Sequence, residues 1–252
     1  VNIQFGHGKN FLGDGYRSLL LSDFSNNYLF LKINTRVWKI NYQNLFAELA
    51  SDHISSLLIG DGLIDKKYLA IHHLSYNLNK NINLGIFESV VFGRNDTTKA
   101  QHFELNYLNP LIFYRSIEQA IGSPDNVMMG TNLKINFIKH VSFYSQFVLD
   151  DFNISEFKKN KNYWGSKFAF QAGLKYFDIA GIDDLHFHGE LNIVRPYTYT
   201  HVNNDANYTH YNQPLAHPLG ANFREIITGI NYKLFKKLTL NAQLFLIQKE
   251  EL

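Results

Sequence analysis

Apolar and polar residues alternate with a period of two over long stretches of this chain. From Val127 the apolar positions are Val127, Met129, Leu133, Ile135 and Phe137, interleaved with Asn126, Met128, Gly130, Asn132, Lys134 and Asn136. Leu185, Phe187, Gly189, Leu191 and Ile193 alternate with His186, His188, Glu190 and Asn192. Phe168, Phe170, Ala172, Leu174 and Tyr176 repeat the pattern, as do Leu238, Leu240, Ala242, Leu244 and Leu246. Side chains on a strand point alternately to opposite faces, so this periodicity predicts strands with one apolar and one polar face. Eleven are expected, near 1–6, 30–39, 41–51, 67–78, 82–93, 126–137, 140–150, 166–178, 184–196, 223–233 and 237–248. Many exceed the usual strand length and match the roughly 9–11 residues that a tilted strand needs to cross a bilayer.

The connections sharpen the expectation. Five are tight, around Ile40, Asn79–Asn81, Ile138–Lys139, Gly181–Asp183 and Phe235–Lys236. Five are long: 7–29, 52–66, 94–125, 151–165 and 197–222. Short and long alternate throughout. An all-β, antiparallel up-and-down transmembrane barrel has this pattern, with short turns on the periplasmic side and long loops outside. A Greek-key sandwich has no reason to sort its loops by length, and no blade-sized repeat suggests a propeller. Trp38, Tyr42, Tyr68, Tyr76, Phe92, Phe137, Phe143, Tyr176 and Tyr232 fall near strand ends, where interfacial girdles form. Eleven is odd, whereas single-chain bacterial barrels usually have an even count. The chain opens inside a strand and finishes on Gln248-Lys249-Glu250-Glu251-Leu252. The expectation is one barrel domain over 1–252, an excerpt of a larger barrel whose other strands pair its open edges. Within the longest connection, Asn109-Pro110 offers a helix start and Gly122 a stop. A short helix near 110–121 is expected, capable of entering the lumen as a partial plug.

Composition narrows the function classes. Lys plus Arg number 24 against 22 Asp plus Glu, too balanced for the basic field of a nucleic-acid binder. An apolar fraction of 45% excludes disorder as the main state. The absence of cysteine removes disulfides, thiolate metal sites and a Cys nucleophile. No stretch is long and apolar enough for a transmembrane helix.

The first long connection contains Gly6, Gly8, Gly13 and Gly15 among Lys9, Asn10, Asp14, Arg17 and Asp23. It lacks the G-x-x-x-x-G-K-[ST] pattern and the strand-to-helix context of a phosphate loop. Its glycines suit tight turns against a barrel wall. Its charged residues form either an internal ion-pair network or a polar ligand surface. Because Leu19–Leu21 is apolar, the loop is expected to fold against the lumen or rim, with Arg17 held by a carboxylate through a forked pair of hydrogen bonds.

Gly15-Tyr16-Arg17-Ser18-Leu19-Leu20-Leu21-Ser22-Asp23 resembles the capsule-assembly Wzi-like family of outer-membrane proteins, in particular the Bacteroidota branch that includes the gliding-motility protein RemB. Tyr107–Arg115 with Glu118, Gly122–Asn126, Tyr144–Gln146 with Leu149–Phe152, and Asn212–Phe223 agree with it. The resemblance implies a non-enzymatic surface role: binding capsular or exopolysaccharide, or supporting adhesion and gliding. The partners it implies are outer-membrane lipid, surface polysaccharide, and motility or secretion machinery proteins. No cofactor is expected.

Loop 196–222 is rich in Tyr, His and Asn, including Tyr197, Tyr199, His201, Tyr208, His210 and Tyr211. These residues read either as aromatic walls and hydrogen-bonding groups for sugar, or as a solvated loop. His186 and His188 share a strand face, but polar lumen lining explains them more simply than a metal, while His72 and His73 point to opposite faces. No G-x-S-x-G or H-E-x-x-H is present, and Asp150-Asp151 and Asp183-Asp184 read as turn residues. Three functions remain: a polysaccharide-binding or anchoring barrel, an accessory component of gliding or secretion machinery, and a diffusion porin.

Overall fold

The computed structural model describes residues 1–54, 64–93, 104–109, 125–150, 166–201 and 206–250. Eleven long strands form one antiparallel sheet in sequential order. They are β1 (Asn2–Gly8), β2 (Tyr28–Val37), β3 (Ile40–Ile54), β4 (Ile64–Asn77), β5 (Ile82–Phe92), β6 (Asn126–Ile138), β7 (Val141–Asp150), β8 (Lys167–Tyr176), β9 (Leu185–Val194), β12 (Phe223–Phe235) and β13 (Leu238–Lys249). A two-residue hairpin of β10 (Thr209–His210) and β11 (Gln213–Pro214) lies in the last long connection. Each long strand pairs with the next long strand in the sequence, as the alternating loop lengths predict. Among the described residues β1 and β13 do not pair with each other, so the sheet is an open arc. The expected helix near 110–121 lies outside the described residues.

The sheet is strongly curled. Nine strand steps separate β2 from β13, roughly 43 Å in a flat sheet at about 4.8 Å per step. Yet the segment 9–24 touches both: Lys32 Nζ on β2 donates to Asn10 Oδ1 at 3.2 Å, and Tyr16 Oη on the same segment donates to Gln243 Oε1 on β13 at 3.4 Å. Residues 10 and 16 lie no more than about 20 Å apart along the chain. The wall must therefore wrap around this segment, which marks the concave, lumen-facing side.

Connection 9–27 and the described residues of the last long connection, 195–201 and 206–222, fill that concavity. Leu12, Leu19, Leu20 and Leu21 are buried with the lumen-facing Leu45, Leu69, Ile71, Phe87, Met128 and Val148, and with Tyr199, Tyr208, Leu215 and Ala216. A plug thus exists, made by the first and last long connections. The described part of connection 94–125 packs elsewhere. Its 3-10 turn (Leu105–Leu108) lies on the convex face, where Tyr107 is buried against Phe92 with ring centroids 4.6 Å apart and joins Phe46, Ala70 and Val90 in a second core. Tyr107 Oη donates to Asp125 Oδ2 at 2.5 Å.

The convex face has two chemistries. Across β7–β13 it is apolar and open: Phe147, Phe170, Leu174, Ile226, Ile230 and Leu244 are exposed. Across β3–β5 it carries Asn44, His72 and Glu88, all buried, and His72 bonds the backbone of Asn109. Of the expected girdle aromatics, Trp38 and Phe137 are exposed near the tight turns, and Phe137 packs with Phe143. Phe92 is fully buried beneath Tyr107 and is a core residue, because residues 104–109 cover the outer wall there.

Candidate functional site

Two lumen-facing carboxylates organise the site, and the first of them fixes the glycine-rich segment. Glu190 on β9 accepts the backbone amides of Tyr16 at 2.6 Å and Arg17 at 3.1 Å, together with the Tyr144 hydroxyl at 2.7 Å and Asn192 Nδ2 at 2.8 Å. Four donors on one buried carboxylate compensate for its removal from water. Gly15 makes the approach possible: a Cβ there would lie 2.6 Å from Glu190 Oε2, 2.7 Å from the Arg17 carbonyl and 2.9 Å from Gln171 Oε1. Gln146 on β7 holds the next turn, accepting Leu19 N–H at 2.7 Å and donating to the Leu12 carbonyl at 3.0 Å.

Glu225 on β12 is the second carboxylate. It accepts His217 Nε2 at 2.6 Å and Asn192 Nδ2 at 3.2 Å, so Asn192 bridges both acids. His217 Nδ1 accepts Leu219 N–H at 3.2 Å. Both imidazole nitrogens are thus used by the neutral ring. Burial pulls the His217 pKa below its ordinary value, against the opposing pull of the Glu225 hydrogen bond.

The charged residues of the segment divide. Asp14 pairs with Lys134 at 2.7 Å, and its carbonyl accepts from Lys175. Asn10 is buried against Lys32. Arg17 has its carboxylate, Glu225, at 3.8 Å, but the expected forked pair is absent: Nε makes no hydrogen bond and the side chain stays 27% exposed. Its guanidinium instead lies 5.2 Å from the Tyr16 ring centroid and 5.8 Å from that of Phe245.

Lys9, Arg17 and Asp23 come together. With Phe11, Tyr16, Ser22, Phe24 and Pro218 they line a cleft of about 320 Å³ on the loop side of the segment. Tyr16 and Phe24 are exposed. The cleft offers aromatic faces beside one carboxylate and two cations, which suits a polyhydroxylated ligand: apolar walls meet its C–H surfaces and charged groups bond its hydroxyls.

The residues expected in loop 196–222 are not gathered there. Tyr199 and Tyr208 are buried, and their hydroxyls donate to the carbonyls of Leu19 and Leu20, each at 2.8 Å. Burial raises both phenol pKa values well above the ordinary one, so they stay neutral donors. His210 is buried too, with Nδ1 accepting Ala50 N–H at 2.9 Å and Nε2 donating to the Asn27 carbonyl at 3.1 Å. His201 is half-buried, its amide held by Asn207 Oδ1 at 2.8 Å. Tyr197 and Tyr211 are exposed at the rim.

A second, smaller cleft of about 220 Å³ lies toward the tight turns, lined by Lys175, Phe177, His186 and His188. Tyr16 lines both clefts, and its ring stacks on His188 at 5.7 Å with an interplanar angle of 8°.

Sequence reasoning missed Phe11, Tyr16 and Phe24 as cleft walls, and Glu190, Glu225 and His217 as anchors. One signal was available: carboxylates at inward positions of strands 185–194 and 223–235 require donors, and a glycine-rich loop with bare amides supplies them.

No protein-family model matches the chain, and no curated protein sequence does. Among solved structures the chain is similar to Wzi, described as an outer-membrane protein involved in group 1 capsule assembly in Escherichia coli and as a carbohydrate-binding β-barrel. The TM-score is 0.71 at 15% identity, over 98% of this chain and 54% of that one. The chain therefore spans about half the length of that structure and shares its fold.

Proposed function

We propose that this chain is part of a non-enzymatic outer-membrane barrel that binds or anchors a surface polysaccharide, with its long loops facing outward. The observation that carries the reading is the loop-side cleft, where Phe11, Tyr16 and Phe24 stand beside Lys9, Arg17 and Asp23. The fold shared with Wzi supports it, since that protein is described as carbohydrate-binding. The exposed apolar band across β7–β13 supports a lipid-facing wall. In this reading residues 1–252 form one domain, an arc of a larger barrel. Chemistry on the sugar is not expected, because Glu190 and Glu225 are buried and committed to loop amides, Asn192 and His217. The filled concavity counts against a diffusion porin.

The test is a glycan array of capsular and exopolysaccharides probed with the detergent-purified protein. Tyr16→Ala and Phe24→Ala should each weaken the glycan retained by the wild type about tenfold, equivalent to about 1.4 kcal/mol. Tyr211→Ala, at the exposed rim, should not. A wild-type protein that binds no glycan but captures motility or secretion proteins would favour the accessory-component reading instead.

A further inference from the structure

On the outer wall, β12 places Arg224, Ile226, Thr228, Ile230 and Tyr232 on one face, opposite the buried Phe223, Glu225 and Ile227. Ile226 and Ile230 are exposed, as are Leu240, Leu244 and Leu246 on the adjoining strand. Arg224 is thus one pleat step, about 7 Å, beyond the apolar band toward the long loops. The register places it between Ile193 of β9 and Gln248 of β13, both on the convex face. Arg195 follows Val194 at the end of β9, its guanidinium 5.5 Å from the ring centroid of Phe168.

These two arginines line one cavity of about 450 Å³, together with Pro196, Asn222, Gln248 and Glu250. Its frame is fixed by backbone bonds: Asn222 N–H donates to the Arg195 carbonyl at 3.4 Å, and Glu250 N–H to the Asn222 carbonyl at 3.2 Å. Asn222 Nδ2 donates to the Glu250 carbonyl at 3.0 Å. Among the described residues Glu250 is the carboxylate that lines the cavity, and no ion pair joins it to Arg224.

We propose that this rim cavity binds the phosphate of a phosphorylated saccharolipid in the outer leaflet. The inference rests on the membrane-spanning reading above and adds a ligand at a different site from the sugar cleft. The Arg224 guanidinium presents a planar fork that matches phosphate geometry, and Arg195 adds a second positive charge to the cavity wall. Their level above the apolar band is that of headgroups, where basic side chains meet anionic lipid. Ile193 lines the cavity and shares the convex face with Ile226, so acyl chains have an apolar wall below the phosphate. A free phosphate ion would use the guanidiniums alone; the lipid uses both.

The test is native mass spectrometry of the detergent-solubilised protein, offered bisphosphorylated lipid A, the same lipid without phosphates, or inorganic phosphate. The wild type should retain the phosphorylated lipid about tenfold more than the dephosphorylated one, and Arg224→Glu should remove most of that preference. Lys236→Glu, at a tight turn, should keep it. Heat-modifiability on gels establishes that each variant is folded. Equal retention of both lipids, or an unchanged preference in folded Arg224→Glu, overturns the proposal. Inorganic phosphate that binds as tightly as the lipid also overturns it, making the cavity a free-anion site. A chain that stays monomeric without detergent and retains neither lipid overturns the membrane reading, and this inference with it.

Discussion

His217 Nε2 donates to Glu225 Oε2 at 2.6 Å, with both side chains fully buried, joining the last long connection to the barrel wall. Asn192 and Arg17 face the same carboxylate, and Glu190 adds a second negative charge nearby. Burial holds the His217 pKa below the unfolded value of about 6.5, so the unfolded chain binds the proton more readily. The stability contributed by the neutral ring is present above pH about 6.5 and is lost as pH falls through the lowered folded pKa. Denaturant melts at pH 7.5 and 5.5 should show lower stability at 5.5, and His217→Gln should flatten that difference. Greater stability at pH 5.5 would mean that the imidazole is charged in the fold.

Glu190 is the anchor of the glycine-rich segment. Glu190→Ala removes the acceptor of two backbone amides, a tyrosine hydroxyl and an asparagine. Each stranded buried donor costs about 1–3 kcal/mol. Limited proteolysis should then cut within 9–24, whereas the wild type resists. Gly15→Ala should give the same cleavage through a steric route, since its Cβ has no room beside Glu190 and Gln171.

Tyr199→Phe and Tyr208→Phe each leave a leucine carbonyl of the plug without its donor. Thermal unfolding should show a loss of about 1–3 kcal/mol for each. Tyr211→Phe, at an exposed position, should lie within about 0.5 kcal/mol of wild type. Equal effects at all three positions would contradict the division between buried and rim tyrosines.

Ile230 lies mid-strand in the open apolar band, three pleat steps below Arg224 and paired in register with Phe187 and Ala242. In a bilayer Ile230→Lys should cost about 2–4 kcal/mol, the depth-dependent penalty of a cation at the midplane. Unfolding in liposomes measures it. A neutral effect would place this face in water.

The sequence by itself determined the strands and their order. Strict alternation from Val127, Leu185 and Leu238 places one residue set on each face, and the tight turns leave no choice of partner but the adjacent strand. Even the buried side of Glu190 and Glu225 follows from this parity. What parity does not carry is which loop meets which face. Nothing local to Tyr107 says that it packs on the convex wall over Phe92, while Leu19–Leu21 of the first long connection occupy the concavity. The same limit hid the cleft: Lys9 and Asp23 meet Pro218 only because the sheet curls and the last long connection folds across the first. Tyr199, Tyr208 and His210 looked equivalent to Tyr197 and Tyr211 in an aromatic, polar loop. Their division into buried anchors and exposed rim depends on carbonyls at Leu19, Leu20 and Asn27, contributed by a segment about 180 residues away in the chain. Periodicity is a local property of the chain, whereas the satisfaction of buried polar groups is decided by whatever the tertiary fold brings within about 3 Å.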